Sequence, residues 1–147
     1  MNTTAVALDS RSLLQMSSEE LDALYRGTSP GAIPVGDTRG TAILFAGSVL
    51  TRVLAAIASL FWGGKVFDAA RGELRNKLSP FRFLAIRAKV YNDGSWLDGK
   101  PTIVIDYSKT SFVAGKIRDE IREIGPGLYL GRVWWGKRPI AHFALRA

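Results

Sequence analysis

Few side chains in this chain of 147 residues are suited to moving a proton or holding an anion. Asp106, Tyr107 and His142 are the candidates for acid–base work, and Arg52, Lys65 and Arg132 are the cations placed to meet an anionic group. Asp106 ends the apolar run Ile103-Val104-Ile105. Pointing inward, it would be a buried carboxylate with a raised pKa and a suitable general base. Ile103 and Ile105 share strand parity with Tyr107, so the competing reading puts Asp106 on the other face, in solvent or against an arginine. His142 is the only histidine. On an alternating strand it shares a side with Ile140 and Ala144, where a hydrogen-bonded structural histidine is the plain reading and a proton carrier the sharper one. With one histidine and no cysteine, no conventional zinc ligand set is visible. No metal and no cofactor are expected.

The stretch that would position these groups is Gly47–Lys65, GSVLTRVLAAIASLFWGGK, whose only charge before its closing lysine is Arg52. Ser48 suits an N-cap, and Gly63-Gly64 suit a left-handed helix end. At about 100° per residue, Val49, Leu50, Val53, Leu54, Ile57, Leu60 and Phe61 fall on one face. A helix is expected here, with a curved sheet closing on it. Residues 41–62 approach the length of a membrane span, but Arg52 and the Gly47-Ser48 break favour a core or interfacial helix.

Around that helix the chain reads as short pieces. Residues 1–15 are expected to be a mobile arm, and residues 16–147 a single barrel-like domain. Ser17 with Glu20 fits a capping box opening a short helix. Strands are expected at Thr41–Phe45, Lys65–Asp68, Glu73–Leu78, Phe83–Tyr91, Thr102–Tyr107, Leu128–Trp135 and Ile140–Leu145, with a turn at Asn92-Asp93-Gly94. Thr110 or Ser111 would cap a second helix striped by Val113, Ile117, Ile121 and Ile124, with Lys116 and Glu120 paired across one turn. The fold class is α+β: a small antiparallel barrel or strongly curved sheet of about six or seven strands, with two or three helices.

Composition narrows the partners. The hydrophobic fraction is 47%, and 20 basic against 13 acidic residues leave a charge of +7. That field favours anionic partners, or serves solubility alone. Lys65, Arg132, Lys137 and Arg138 stand near Trp62, Trp134 and Trp135. Such interleaving suits a membrane interface or single-stranded nucleic acid, and otherwise forms the rim of a tryptophan core. No phosphate-binding glycine loop lies between a strand and a helix. The N-terminus has no basic stretch followed by an apolar one, so a cytoplasmic location, with peripheral membrane association, is expected.

Four landmarks occur in order: Leu24-Tyr25-Arg26-Gly27, Trp62-Gly63-Gly64-Lys65-Val66-Phe67, Ile105-Asp106-Tyr107 and Leu130-Gly131-Arg132-Val133. Their order resembles that in the GXWXG-type small bacterial barrel proteins. Tyr25 stands where the signature tryptophan falls, and Ala23 where a glycine precedes it. The resemblance implies a lipocalin-like barrel.

The leading expectation is a barrel cavity that holds a hydrophobic small molecule or lipid, with an anionic membrane surface as a further partner. Leu54, Ile57, Phe61, Ile86, Ile105 and Tyr107 would form its walls, and Arg52, Lys65 and Arg132 would face an anionic head. The alternative is an isomerase, cyclase or hydrolase acting on a hydrophobic substrate through Asp106, Tyr107 and His142. Nucleic-acid binding ranks third.

Overall fold

The computed structural model describes residues 8–44, 62–78, 83–110 and 114–147. The expected helix from Gly47, including Arg52, Leu54, Ile57 and Phe61, falls outside them up to its last residues. Among the described residues, two helices, α1 (Ser10–Leu14) and α2 (Ser18–Arg26), precede nine strands. These are β1 (Gly36–Asp37), β2 (Arg39–Leu44), β3 (Trp62–Asp68), β4 (Glu73–Leu78), β5 (Phe83–Gly94), β6 (Pro101–Asp106), β7 (Ile117–Gly125), β8 (Leu128–Trp135) and β9 (Arg138–Arg146).

β3 to β9 form an antiparallel meander in chain order, with β1 outside β3 and β2 outside β9. Only Thr38 separates β1 from β2, so one stretch of chain borders both ends of the sheet and brings it nearly to closure. Thr38 fastens that seam: its amide and hydroxyl donate to the Lys65 carbonyl at 2.9 and 2.7 Å. The Lys65 amide donates back to the Thr38 hydroxyl at 3.2 Å. Gly64 makes this approach sterically feasible. Its φ is +128°, and a Cβ there would lie 2.2 Å from the Thr38 carbonyl oxygen. The double glycine read as a helix end is therefore part of a strand that needs bare backbone.

Two apolar cores occupy the two faces of the sheet. Inside are Phe67, Leu74, Ala88, Ile103, Ile105, Tyr107, Ile121, Tyr129, Phe143 and Leu145. Outside, Leu13, Leu21 and Tyr25 of the helices cover Ile43, Leu128, Leu130 and Ala144. Burial of the helices' apolar side chains against the sheet supplies most of what holds elements this short. Ser17 caps α2 by accepting from the Glu20 amide at 3.1 Å, which is the Ser17 half of the expected capping box. Residues 10–14, assigned from the sequence to a mobile arm, form α1, and Leu13 is fully buried.

The nine strands exceed the expected six or seven for two reasons. β1 is a short seam strand, and Ile117–Gly125 is β7, not a helix. Ile117, Asp119 and Ile121 alternate with Arg118, Glu120 and Arg122, which is a strand pattern with charge on both faces. Each buried charge has a partner, so the charges do not prevent burial. Glu120 pairs with Arg118 at 2.9 Å instead of with Lys116. The turn expected at Asn92-Asp93-Gly94 is instead the end of β5, which pairs through to Pro101. The loop is Ser95–Lys100, drawn onto the outer face by Glu120, which accepts from the Ser95 hydroxyl at 2.7 Å and the Trp96 amide at 3.0 Å.

Candidate functional site

The barrel interior is not uniformly apolar. Lys65 and Asn76 face each other across β3 and β4, and alternation with the buried Phe67 and Leu74 turns both inward. Tyr107 follows β6 on the parity of Ile103 and Ile105. Asp119 projects from β7 opposite Ile105. All four are buried.

Their polar atoms converge. Lys65 Nζ donates to Tyr107 Oη at 2.7 Å and to Asn76 Oδ1 at 2.8 Å, and lies 3.1 Å from Asp119 Oδ2. Asn76 Nδ2 donates to Tyr107 Oη at 2.9 Å, and that hydroxyl reaches Asp119 Oδ2 at 3.5 Å. An ammonium has three protons to donate, and here it meets three acceptors. Its Nζ also lies 5.3 Å from the centre of the Phe143 ring, within cation–π range.

Burial and mutual attraction oppose one another in this cluster. Burial works against the charge on Lys65, but Tyr107 and Asp119 outweigh it and hold the ammonium above its usual pKa. Burial raises Asp119 above the ordinary carboxylate range despite the attraction of Lys65. It raises Tyr107 too. The donors Lys65 Nζ, Asn76 Nδ2 and the Tyr107 hydroxyl, set among apolar side chains, are of the kind that receives an anionic or carbonyl oxygen.

The other candidates lie elsewhere. Asp106 is on the outer face, where it accepts from the Tyr91 hydroxyl and the Ser108 amide, each at 2.8 Å. Partial burial works to raise its pKa, but the Ser108 and Tyr91 hydrogen bonds and Arg118 prevail and lower it. The inward carboxyl group with a raised pKa is thus that of Asp119, not Asp106. His142 and Arg132 also face outward, under α2. Both bind Asp22 Oδ1, His142 through Nε2 at 2.8 Å and Arg132 through Nη1. Arg132 therefore does not share a face with Lys65, and the three acid–base candidates do not meet. Tyr107 stands against Lys65 in the interior, and Ile105 belongs to the same interior core. Ile86 belongs to β5, its side chain outside the described part, as are Arg52, Leu54, Ile57 and Phe61.

Asn76 and Asp119 escaped the sequence reading. Alternation over residues 117–121 could have exposed Asp119, had its helix spacing not matched equally well. A depression of about 220 Å³ lies on the β3–β4 hairpin, lined by Val66, Asp68, Arg71, Glu73, Leu74 and Arg75. It shares no residue with the interior cluster. Among the described residues, no group of His, Cys, Asp and Glu could hold a metal ion, and no helix is long and apolar enough to cross a membrane.

The fold is a nearly closed antiparallel barrel. A crystal structure of a protein from Thermomonospora curvata is similar, with a TM-score of 0.62, 19% identity, and coverage of 89% of this chain and 87% of that chain. At that identity the likeness speaks to the fold alone. No family model matches the chain, and no curated protein matches it.

Proposed function

We propose that the barrel holds a small apolar or lipidic molecule whose anionic or carbonyl head meets Lys65, Asn76 and Tyr107. The observation that carries this reading is the convergence of their polar atoms on one another among Phe67, Ile105 and Phe143. A barrel of this size has room for packed side chains or one small ligand. Asp119 fits the arrangement, because a carboxyl group that takes up a proton can release Lys65 to an incoming anion. The resemblance to GXWXG-type, lipocalin-like barrels supports the barrel form of this reading, while Tyr25 and Ala23 depart from its signature. Cytoplasmic placement belongs to the same reading.

The test is native mass spectrometry of the purified protein, followed by titration with a dansyl-labelled fatty acid. Tyr107→Phe should weaken probe binding about tenfold or more, the effect of losing a hydrogen bond to a charged group. Asp106→Asn, on the outer face, should leave binding unchanged. No bound molecule together with no probe binding, or equal affinities for both variants, would reject the interior site.

A second reading, acid–base catalysis on the bound molecule, is favoured by the inward carboxyl of Asp119 next to the Tyr107 hydroxyl. A catalyst would lose turnover in Asp119→Asn while retaining the ligand. If Asp119→Asn turns over a retained compound at the wild-type rate, the protein is a binder only.

A further inference from the structure

One end of the barrel has a chemistry of its own. There β6 and β8 finish and β7 and β9 begin, and the Gly136 amide donates to the Lys116 carbonyl at 2.8 Å, tying the two turns together. Lys109, Lys116, Lys137 and Arg138 are exposed on these turns. None of residues 108–110, 114–117 and 134–140 is acidic. Large apolar side chains stand among the cations, with Trp135 47% exposed and Ile140 36% exposed.

Trp96 extends the patch. Its loop folds onto the outer face, its ring meets Trp134 edge-on at 5.7 Å, and it remains 42% exposed. Lys137 Nζ lies 5.7 Å from the centre of that ring, which links the loop to the β8–β9 turn.

We propose that this end of the barrel docks on an anionic lipid surface. Indole rings settle at headgroup depth, and lysine and arginine beside them reach the phosphates. Ile140 and Trp135 supply the apolar insertion, and Lys116, Lys137 and Arg138 the charge complementarity. Single-stranded nucleic acid fits less well, because a base needs an open ring face. Arg118 already stands 4.3 Å from the centre of the Trp96 ring, with Lys137 also over it. The docking surface is independent of what the interior holds.

The experiment is sedimentation with vesicles of phosphatidylcholine alone and of phosphatidylcholine mixed with phosphatidylglycerol. The wild type should bind only the mixed vesicles and release as salt rises. The double variant Lys137→Glu, Arg138→Glu should lose at least about 25-fold in affinity, since each surface cation contributes about fivefold. The control Arg71→Glu, Arg75→Glu, on the β3–β4 hairpin and its flank, makes the same change from +7 to +3, each substitution removing two charges. It should bind as the wild type does. Trp135→Ser should weaken binding with no change in salt dependence. Equal losses in both charge variants would reduce the effect to net charge and overturn the proposal. Absence of vesicle binding would overturn it too, as would binding of oligothymidylate in place of vesicles. Circular dichroism of each variant keeps a loss of fold from being taken for a loss of docking.

Discussion

The ring of Phe143 occupies the space that a side chain at Gly131 would fill. The two residues are cross-strand partners on β9 and β8, and a Cβ at Gly131 would lie 2.3–2.5 Å from three ring atoms. The same ring lies under the Lys65 ammonium. The glycine of Leu130-Gly131-Arg132-Val133 thus sets the position of an aromatic wall of the polar cluster.

Gly131→Val should destabilise the protein by about 1–3 kcal/mol through overpacking, read by urea denaturation. Adding Phe143→Leu should recover part of that loss, because the smaller side chain vacates the space. A Gly131→Val protein as stable as the wild type would mean that the ring has another place to go.

Lys65 and Asp119 should behave as a coupled pair. Lys65→Met removes the cation but leaves a buried carboxyl group, at a cost of about 3–5 kcal/mol. The double variant Lys65→Met, Asp119→Leu should cost clearly less than the sum of the two single changes. Additive losses in a denaturation cycle would show that the two side chains do not interact.

His142 gives stability a pH dependence. Burial, with a smaller contribution from Arg132, lowers its pKa from 6.5 against the upward pull of Asp22. The folded protein therefore binds this proton less readily than the unfolded chain does. The resulting stabilisation is present above about pH 6.5 and lost as the pH falls through the lowered folded value. Asp22→Asn, which removes the upward pull, should lower the pKa further in a histidine NMR titration. His142→Gln does not titrate, so the stability gap between wild type and variant should narrow on going from about pH 8 to about pH 5. A gap that is flat with pH would mean that His142 titrates alike in both states.

Acid–base roles were the least legible part of the sequence. The parity of Ile103, Ile105 and Tyr107 put Asp106 on the face opposite Tyr107, since side-chain direction along a strand is a local property, but which of the two faces is the interior stayed open in the sequence. Whether Asp119 faces a core was not local. Its run, Ile117 to Ile124, satisfies a helical and an alternating pattern together, and only the partners on β6 and β8 select the strand.

By itself the sequence determined the hairpin from Lys65 to Leu78, the α2 cap at Ser17, the strands β6, β8 and β9, and the antiparallel class. Each rests on alternation, a capping residue or a turn within a few residues of itself. Tertiary structure alone decided three things. Gly64 serves a seam because Thr38, far away in sequence, needs to reach its neighbour's backbone. Arg132 and Lys65 part company because a sheet has two faces, and α2 brings Asp22 to only one of them. Lys65, Asn76, Tyr107 and Asp119 form one site because barrel closure brings four separate strands or strand ends to a common interior, where burial makes each charge depend on its partners.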